Sequence, residues 1–249
     1  MTARSFSGGR FSVTLDGTPT GFIKKVSGGI AKGNVTTHDS GSDNKQTKHL
    51  ATIEYTDIVL EVGMGMGKGL YEWIRASFDK GHITKSGEIH ACDFDYKSMA
   101  IRGFRDAHIS KVTVPTLDGS DKNAGYLTIT LTPEQIDYQK GTGSAIAPSL
   151  GTKTKKWLNS NFKFELGGLP CARVAKIDTF TWEQKVISDE VGSFRIPTKH
   201  AAKVTVPNLT VYISMADYWD WAEWHRTFVV EGKCTDSDEL TGSITFLGP

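Results

Sequence analysis

The sequence predicts a mainly β protein in which a helix packs on a sheet and the whole unit is built twice, the second time in shortened form. Three observations carry that prediction. Runs of alternating apolar and polar residues recur along the chain, as strands with one buried face require. Glycine accounts for 26 of the 249 residues and, with 8 prolines, falls between those runs as turn punctuation. The pattern of the first half also returns in the second at one fixed offset.

Each element follows from its residues. Phe11-Ser-Val13-Thr-Leu15 alternates with period two and runs into Asp16-Gly17, a hairpin-turn signal, and Phe22–Val26 reads as the returning strand. Residues 27–47, rich in Gly, Ser, Asp and Asn, read as the start of a long loop reaching to 57, and a long ordered loop usually has a job. Ile58-Val-Leu60-Glu-Val62 is a strand. Leu70, Trp73, Ile74 and Phe78 then share one face at helical spacing, which predicts a helix over about 68–80. Strands are expected around Ile89–Tyr96, Ile109–Val114 and Tyr126–Leu131.

The repeat sets the organisation. At an offset of 151 residues Phe162–Pro170 repeats the grammar of Phe11–Pro19, and Lys176-Ile177 meets Lys25-Val26. Leu209, Val211 and Ile213 meet Ile58, Leu60 and Val62, and Glu223-Trp224-x-Arg226 meets Glu72-Trp73-x-Arg75. Ser214-Met-Ala-Asp217 resembles a capping box and opens a second helix over about 215–229, with Trp221, Trp224 and Phe228 on its apolar face. The expected domains are therefore 1–140, a flexible linker at 141–161 rich in Gly, Ser and Pro, and a second copy at 162–249 that has no counterpart of Met99–Lys140. A sheet lacking strands leaves an unpaired edge, which is a template for another chain.

Composition excludes several classes. The net charge of +1, from 29 basic and 28 acidic residues, gives no phosphate-neutralising excess, and Lys153–Lys156 reads as a solvated part of the linker. No apolar run is long enough to cross a bilayer, and Met1–Arg10 has no apolar signal segment, so a soluble chain made in the cytoplasm is expected. Cys92, Cys171 and Cys234 are odd in number and far apart, which argues against a disulfide framework.

Chemical motifs fail on inspection, leaving no expected catalytic, cofactor or metal residue. Gly63–Gly69 contains Gly67-Lys68 but lacks the first glycine and the hydroxyl of a phosphate loop, so it reads as a strand-to-helix connection. His90 and Cys92, with Asp93 or Asp95, offer too few ligands for a metal. Asp118–Asn123 lacks calcium-loop spacing and reads as a polar turn. No G-x-S-x-G nucleophile motif occurs. In the cluster Tyr218-Trp219-Asp-Trp221-Ala-Glu-Trp224 only Trp219 is free of the apolar face, which leaves a carbohydrate-binding β-sandwich using exposed Trp as an alternative reading.

Phe11–Leu15, the Val26-Ser-Gly-Gly29 exit, Ile58-Val-Leu60, the helix Leu70-Tyr-Glu-Trp73-Ile74, Ala107–Val112 and Leu127–Glu134, taken in order, resemble the tail-tube family of contractile phages and phage-tail-like contractile injection systems. The resemblance covers residues 1–140 well and reaches 162–249 through the repeat. It implies a β-sandwich or partly rolled barrel with a flanking helix. It also implies a structural, non-enzymatic subunit of a tail tube or tube-end adaptor, in a virion tail or related particle. Such subunits close into rings, here hexameric or trimeric and pseudo-hexameric, that stack into a conduit for DNA or protein cargo. Sheath, baseplate and terminator proteins are the implied partners, and the segment 27–57 would order against a neighbouring subunit or ring.

Overall fold

A computed structural model describes residues 10–41, 45–79, 83–146, 156–190, 192 and 196–248. Most of the Lys153–Lys156 run, the middle of the expected linker, Lys80 at the expected helix end, and Met1–Gly9 lie outside the described residues. The chain divides into two compact units that interleave in sequence. One comprises Met1–Thr113, Leu127–Thr154 and Thr181–Val206, and the other Val114–Tyr126, Lys155–Phe180 and Pro207–Pro249.

Strands β1 (Arg10–Leu15) and β2 (Thr18–Gly28) form the hairpin anticipated at Asp16-Gly17. Both turn residues have positive φ, 48° and 77°, as the two-residue turn that matches strand twist demands. Strands β3 (Ala31–Ser40), β4 (Lys45–Tyr55) and β5 (Ile58–Gly63) follow, then helix α1 (Lys68–Phe78), β6 (Lys85–Cys92) and the 17-residue β7 (Ser98–Val114). The chain continues through β8 (Leu117–Asp118), β9 (Tyr126–Thr132), β10 (Gln135–Lys140), β11 (Phe162–Leu166) and β12 (Lys176–Ile177). Strands β13 (Phe180–Asp189), β14 (Thr198–Thr205), β15 (Val211–Tyr212), helix α2 (Tyr218–His225) and β16 (Gly242–Phe246) complete it.

In the first unit six strands close on themselves in the order β7-β6-β1-β2-β5-β9 and back to β7, so the expected partly rolled sheet is a closed barrel. Closure gives each of those strands a partner on either side. Alternation carries the core: Ile58, Leu60 and Val62 of β5 and Leu127, Ile129 and Leu131 of β9 are buried, with less buried residues between them. Val13, Leu15, Ile23, Ile89 and Phe104 complete the packed interior. Helix α1 packs against β2 through Leu70 and Trp73, while Ile74 and Phe78 are only half-buried. The Trp73 indole N–H donates to the Ile83 carbonyl at 3.0 Å.

Strand β7 is the organiser. Its first half pairs with β6 on one edge and β10 on the other, and its second half pairs with β9. Past the end of β6 the free edge of that second half is taken by β13, which carries β14 on its outer side. Thr113 and Thr181 hydroxyls meet at 2.9 Å and Lys111 pairs with Glu183 at 2.9 Å, which fixes β13 to this stretch.

The second unit holds two small sheets, β11 with β16 and β12 between β8 and β15. Leu117, Ile177 and Phe180 are buried in it, and Trp157 stacks edge-on against Phe246 with ring centres 5.1 Å apart. Trp157 and Asn159 therefore belong to this unit's packed interior, although composition marked 141–161 as linker.

Two expectations are corrected. Residues 27–57 are not a loop: β3 and β4 form a hairpin of nine register pairs with an irregularity between Gly33 and Val35. Both of its faces are exposed, so no apolar alternation marks it, and backbone pairing alone specifies it. Helix α2 also differs from its expected form. Ser214 Oγ accepts from Ala216 N–H and caps a short 3-10 turn at Met215–Asp217, but Asp217 turns to Arg173, 3.0 Å away, instead of capping. The helix buries no residue fully, although Trp221, Trp224 and Phe228 do contact one another as the spacing predicted.

Candidate functional site

The β3–β4 hairpin is a two-stranded sheet without a further strand partner among the described residues. Its cross-strand pair Val35 and Leu50 is 57% and 60% exposed, and Ile30 at its base is 58% exposed. An isolated hairpin is only marginally stable in water, so this arm is poised to add strands or apolar contacts from elsewhere.

Its root is held firmly. Gly28 and Gly29 both have positive φ, 76° and 69°. A Cβ on Gly28 would lie 1.9 Å from the Asp57 carbonyl oxygen, so glycine is required by conformation and by space. Gly29 N–H donates to that carbonyl at 3.0 Å, and Ile30 N–H donates to Thr56 Oγ1 at 2.9 Å. From β7, Arg102 Nη1 donates to the Gly28 carbonyl at 2.6 Å, and from β10 the Tyr138 hydroxyl donates to the Gly29 carbonyl. The Arg102 guanidinium also lies 5.7 Å from the Tyr138 ring centre. The sequence marks the glycine pair but not Arg102 and Tyr138, because partners 74 and 109 residues apart leave no local signal.

The residues weighed for chemistry fall into structural places. Gly67 N–H donates to the Thr20 carbonyl at 2.6 Å and Lys68 pairs with Glu72 at 2.9 Å, so the Gly63–Gly69 connection is packed on the barrel. His90 is buried, with Nδ1 3.1 Å from Ser98 Oγ and Nε2 3.3 Å from a Glu88 carboxylate oxygen. Burial lowers its pKa and outweighs the opposing pull of Glu88. The Cys92 thiol donates to the His90 carbonyl, and burial, aided by Asp93, pushes its pKa up. Asp93 Oδ1 accepts from the N–H groups of Asp95 and Lys97, closing a turn. Among the described residues no three His, Cys, Asp or Glu groups converge as a metal site would require.

Asp118 accepts from Ser120 N–H and Oγ–H, and Asp121 accepts from Asn123 N–H and the Asn159 side chain. Those bonds hold both carboxyls below the usual range and complete a polar turn. Trp219 is 79% exposed and meets Tyr218 edge-on at 5.3 Å, so the two rings do not form a flat platform.

What this chain presents is therefore a packed barrel with a rigidly rooted strand pair that joins no further strand among the described residues. Among solved structures the chain is similar to the cap that terminates the tube of the anti-feeding prophage, at 20% identity and TM-score 0.49, covering 56% of this chain and 94% of that one. It is also similar to a chain of the PVC sheath-tube complex, an extracellular contractile injection system in its extended state, at 19% identity and TM-score 0.49, covering 56% and 94%. A chain of the PVC sheath/tube terminator matches at 19% identity and TM-score 0.48, covering 56% and 99%. No curated protein sequence matches the chain. The sequence profile of the T4-like virus tail tube protein gp19 matches residues 8–137, just over half of the chain and the stretch from the start of β1 into β10. The protein belongs to the T4-like virus tail tube gp19 family.

Proposed function

We propose that this protein is a structural, non-enzymatic subunit of the tail tube, or of an adaptor at the tube's end, in a contractile phage tail or related injection particle. The single observation that carries the reading is the family's barrel with a rigidly rooted strand pair that joins no further strand among the described residues. Copies of the chain assemble into rings, hexameric or trimeric and pseudo-hexameric, that stack into a conduit for DNA or protein cargo. Sheath, baseplate and terminator proteins are its proposed neighbours in the particle, in keeping with the PVC sheath-tube and sheath/tube terminator complexes whose chains it is similar to. Edge pairing between copies satisfies backbone groups that a monomer leaves to water.

The tandem organisation, 1–140 followed by a linker and a shorter second copy at 162–249, belongs to the same proposal. The pairings support it. Lys176↔Tyr212 and Ile177↔Val211 lie 151 residues beyond Lys25↔Glu61 and Val26↔Leu60. The interleaved units fit as well, since β8 of the first copy pairs with β12 of the second.

Negative-stain electron microscopy of the purified chain tests the reading. Rings or tubes are expected, and a strictly monomeric protein at high concentration refutes it. The exposure of Trp219 keeps a carbohydrate-binding reading open, in which Trp219→Ala abolishes binding on a glycan array. A parent chain that binds no glycan on the array removes that reading.

A further inference from the structure

The first hairpin of the chain and its counterpart 151 residues on begin alike and end differently. In β1–β2 the pairing runs from Leu15↔Thr18 at the turn through Val13↔Gly21 to Phe11↔Ile23. In the second copy the turn is closed too. Leu169 N–H donates to the Leu166 carbonyl at 3.1 Å, and Gly168 has φ 80° as Gly17 has 77°. There the pairing stops. Val174 N–H donates to the Cys171 carbonyl at 3.2 Å, which turns the chain aside, and the strand resumes only at β12.

A cleft of about 620 Å³ lies where the two strands part, lined by Phe162, Phe164 and Leu166 of β11 and by Leu169, Ala172 and Val174 of the departing segment. These six stand 151 positions beyond Phe11, Val13 and Leu15 and their partners Thr18, Gly21 and Ile23. Gly167 N–H donates to the Thr241 carbonyl and the Asn161 carbonyl accepts from Leu247 N–H, both on the β16 side. Backbone groups alternate between the two edges of a strand, so those of Phe162 and Phe164 point to the other edge. That edge of β11 carries no strand among the described residues.

Two contacts hold the segment away from it. The Trp221 indole N–H of α2 donates to the Pro170 carbonyl at 3.1 Å, and Arg173 Nη1 lies 3.0 Å from Asp217 Oδ1, just ahead of α2. The residues 151 positions earlier are Leu70, Phe22 and Met66, whose side chains can make neither contact. Closure in the register of β1–β2 would also set Arg173 opposite Lys163, as Phe22 lies opposite Ser12, and like charges so placed repel. Yet α2 buries no residue fully, so these contacts are mounted on a loosely seated element.

We propose that residues 169–174 are a strap with two seats, the observed one latched to α2 and a second along the free edge of β11, and that the Arg173–Asp217 and Trp221–Pro170 contacts choose between them. In the second seat the strap joins β11–β16 to β12–β15, as β2 joins β1 to β5. The inference rests on the tandem reading and not on ring formation.

Amide exchange in the full chain tests it. In the parent, Phe162 and Phe164 should exchange about tenfold faster than Lys163 and Glu165, whose N–H groups face β16. Equal rates overturn the free edge. Arg173→Phe with Asp217→Met and Trp221→Leu gives the second copy the residues of the first, and should slow Phe162 and Phe164 by about tenfold. Trp221→Phe alone keeps an aromatic ring but loses the Pro170 bond, and should shift both amides in the same direction.

The register is read separately. With Cys171→Ser and Cys234→Ser, the pair Lys163→Cys and Arg173→Cys, added to Asp217→Met and Trp221→Leu, should form an intramolecular disulfide under mild oxidation, since directly opposed strand residues come within its reach. Slowed amides without that disulfide overturn the register, and with it the tandem reading beneath the inference. Folded variants whose Phe162 and Phe164 amides stay as fast as the parent's overturn the strap and leave the tandem reading standing.

Discussion

Trp73 is the residue at which the link between helix α1 and the barrel can be measured. Its side chain is 1% exposed, and its indole N–H is satisfied by the Ile83 carbonyl. A tryptophan buries roughly 200 Å², and at about 25 cal/mol per Å² that area contributes about 5 kcal/mol. A compact unfolded chain already hides part of it, which lowers the figure to about 3–4 kcal/mol. Trp73→Ala should therefore destabilise the first unit by about 3–4 kcal/mol, within the usual range for emptying an aromatic site.

Trp224, 151 residues on, provides the internal comparison. It is only half-buried, and its indole N–H has no hydrogen-bond partner among the described residues. Removing an unsatisfied donor recovers part of the lost packing, so Trp224→Ala should cost less than about 2 kcal/mol. Thermal denaturation followed by circular dichroism would show the contrast, with a fall of about 6–16 °C for Trp73→Ala. Equal losses for the two variants would refute the claim that only the first helix is seated in a closed core.

Other expectations concern the arm root, the buried histidine and the exposed indole. Gly28→Ala should destabilise and loosen the β3–β4 arm, since the new Cβ meets the Asp57 carbonyl at a positive φ; faster amide exchange in residues 31–55 would show it, and wild-type exchange would refute it. Arg102→Ala should speed exchange in the same residues while sparing β5 and β9; uniform destabilisation would instead mark Arg102 as a core residue. The folded His90 pKa lies below its unfolded value, so its contribution to stability is present above about pH 6.5 and is lost as pH falls through the lower folded pKa. His90→Gln should flatten that acid decline, measured as melting temperature between neutral and mildly acid buffers, and an unchanged pH slope would refute the assignment. Trp219→Ala should leave the melting temperature within a degree or two of the parent, because a surface side chain of this exposure contributes within about 0.5 kcal/mol.

Legibility in the sequence followed one-sided burial. Strands β5 and β9 each bury alternate residues, so period-two alternation marked them correctly. Asp16-Gly17 announced its turn because the backbone there requires positive φ and those residue types tolerate it. The β3–β4 hairpin was hidden for the converse reason. With both faces exposed it carries no alternation, and its glycines and polar residues look like loop.

The same lack of one-sided burial hides β13–β14, whose register repeats that of β3–β4 at an offset of 151 residues. Helix spacing at Trp221, Trp224 and Phe228 gave a correct cluster but not its depth, since burial depends on what the rest of the unit supplies. Arg102 and Tyr138 were illegible, because their role is to hold two carbonyls brought near by the barrel's closure.

The clamp at Gly28 and Gly29 has a consequence for the geometry of any assembly. A ring closes only if every copy departs from the last at the same angle, and small deviations accumulate around the circle. An arm on a loose hinge would tolerate several angles and give rings of mixed size. Here two carbonyls at the hinge are gripped from two different strands, and a side chain in place of either glycine would strike Asp57 or Ile58. The bearing of the arm is thus set inside the subunit, and in the proposed ring the barrel would act as the jig that decides how many copies make a full turn.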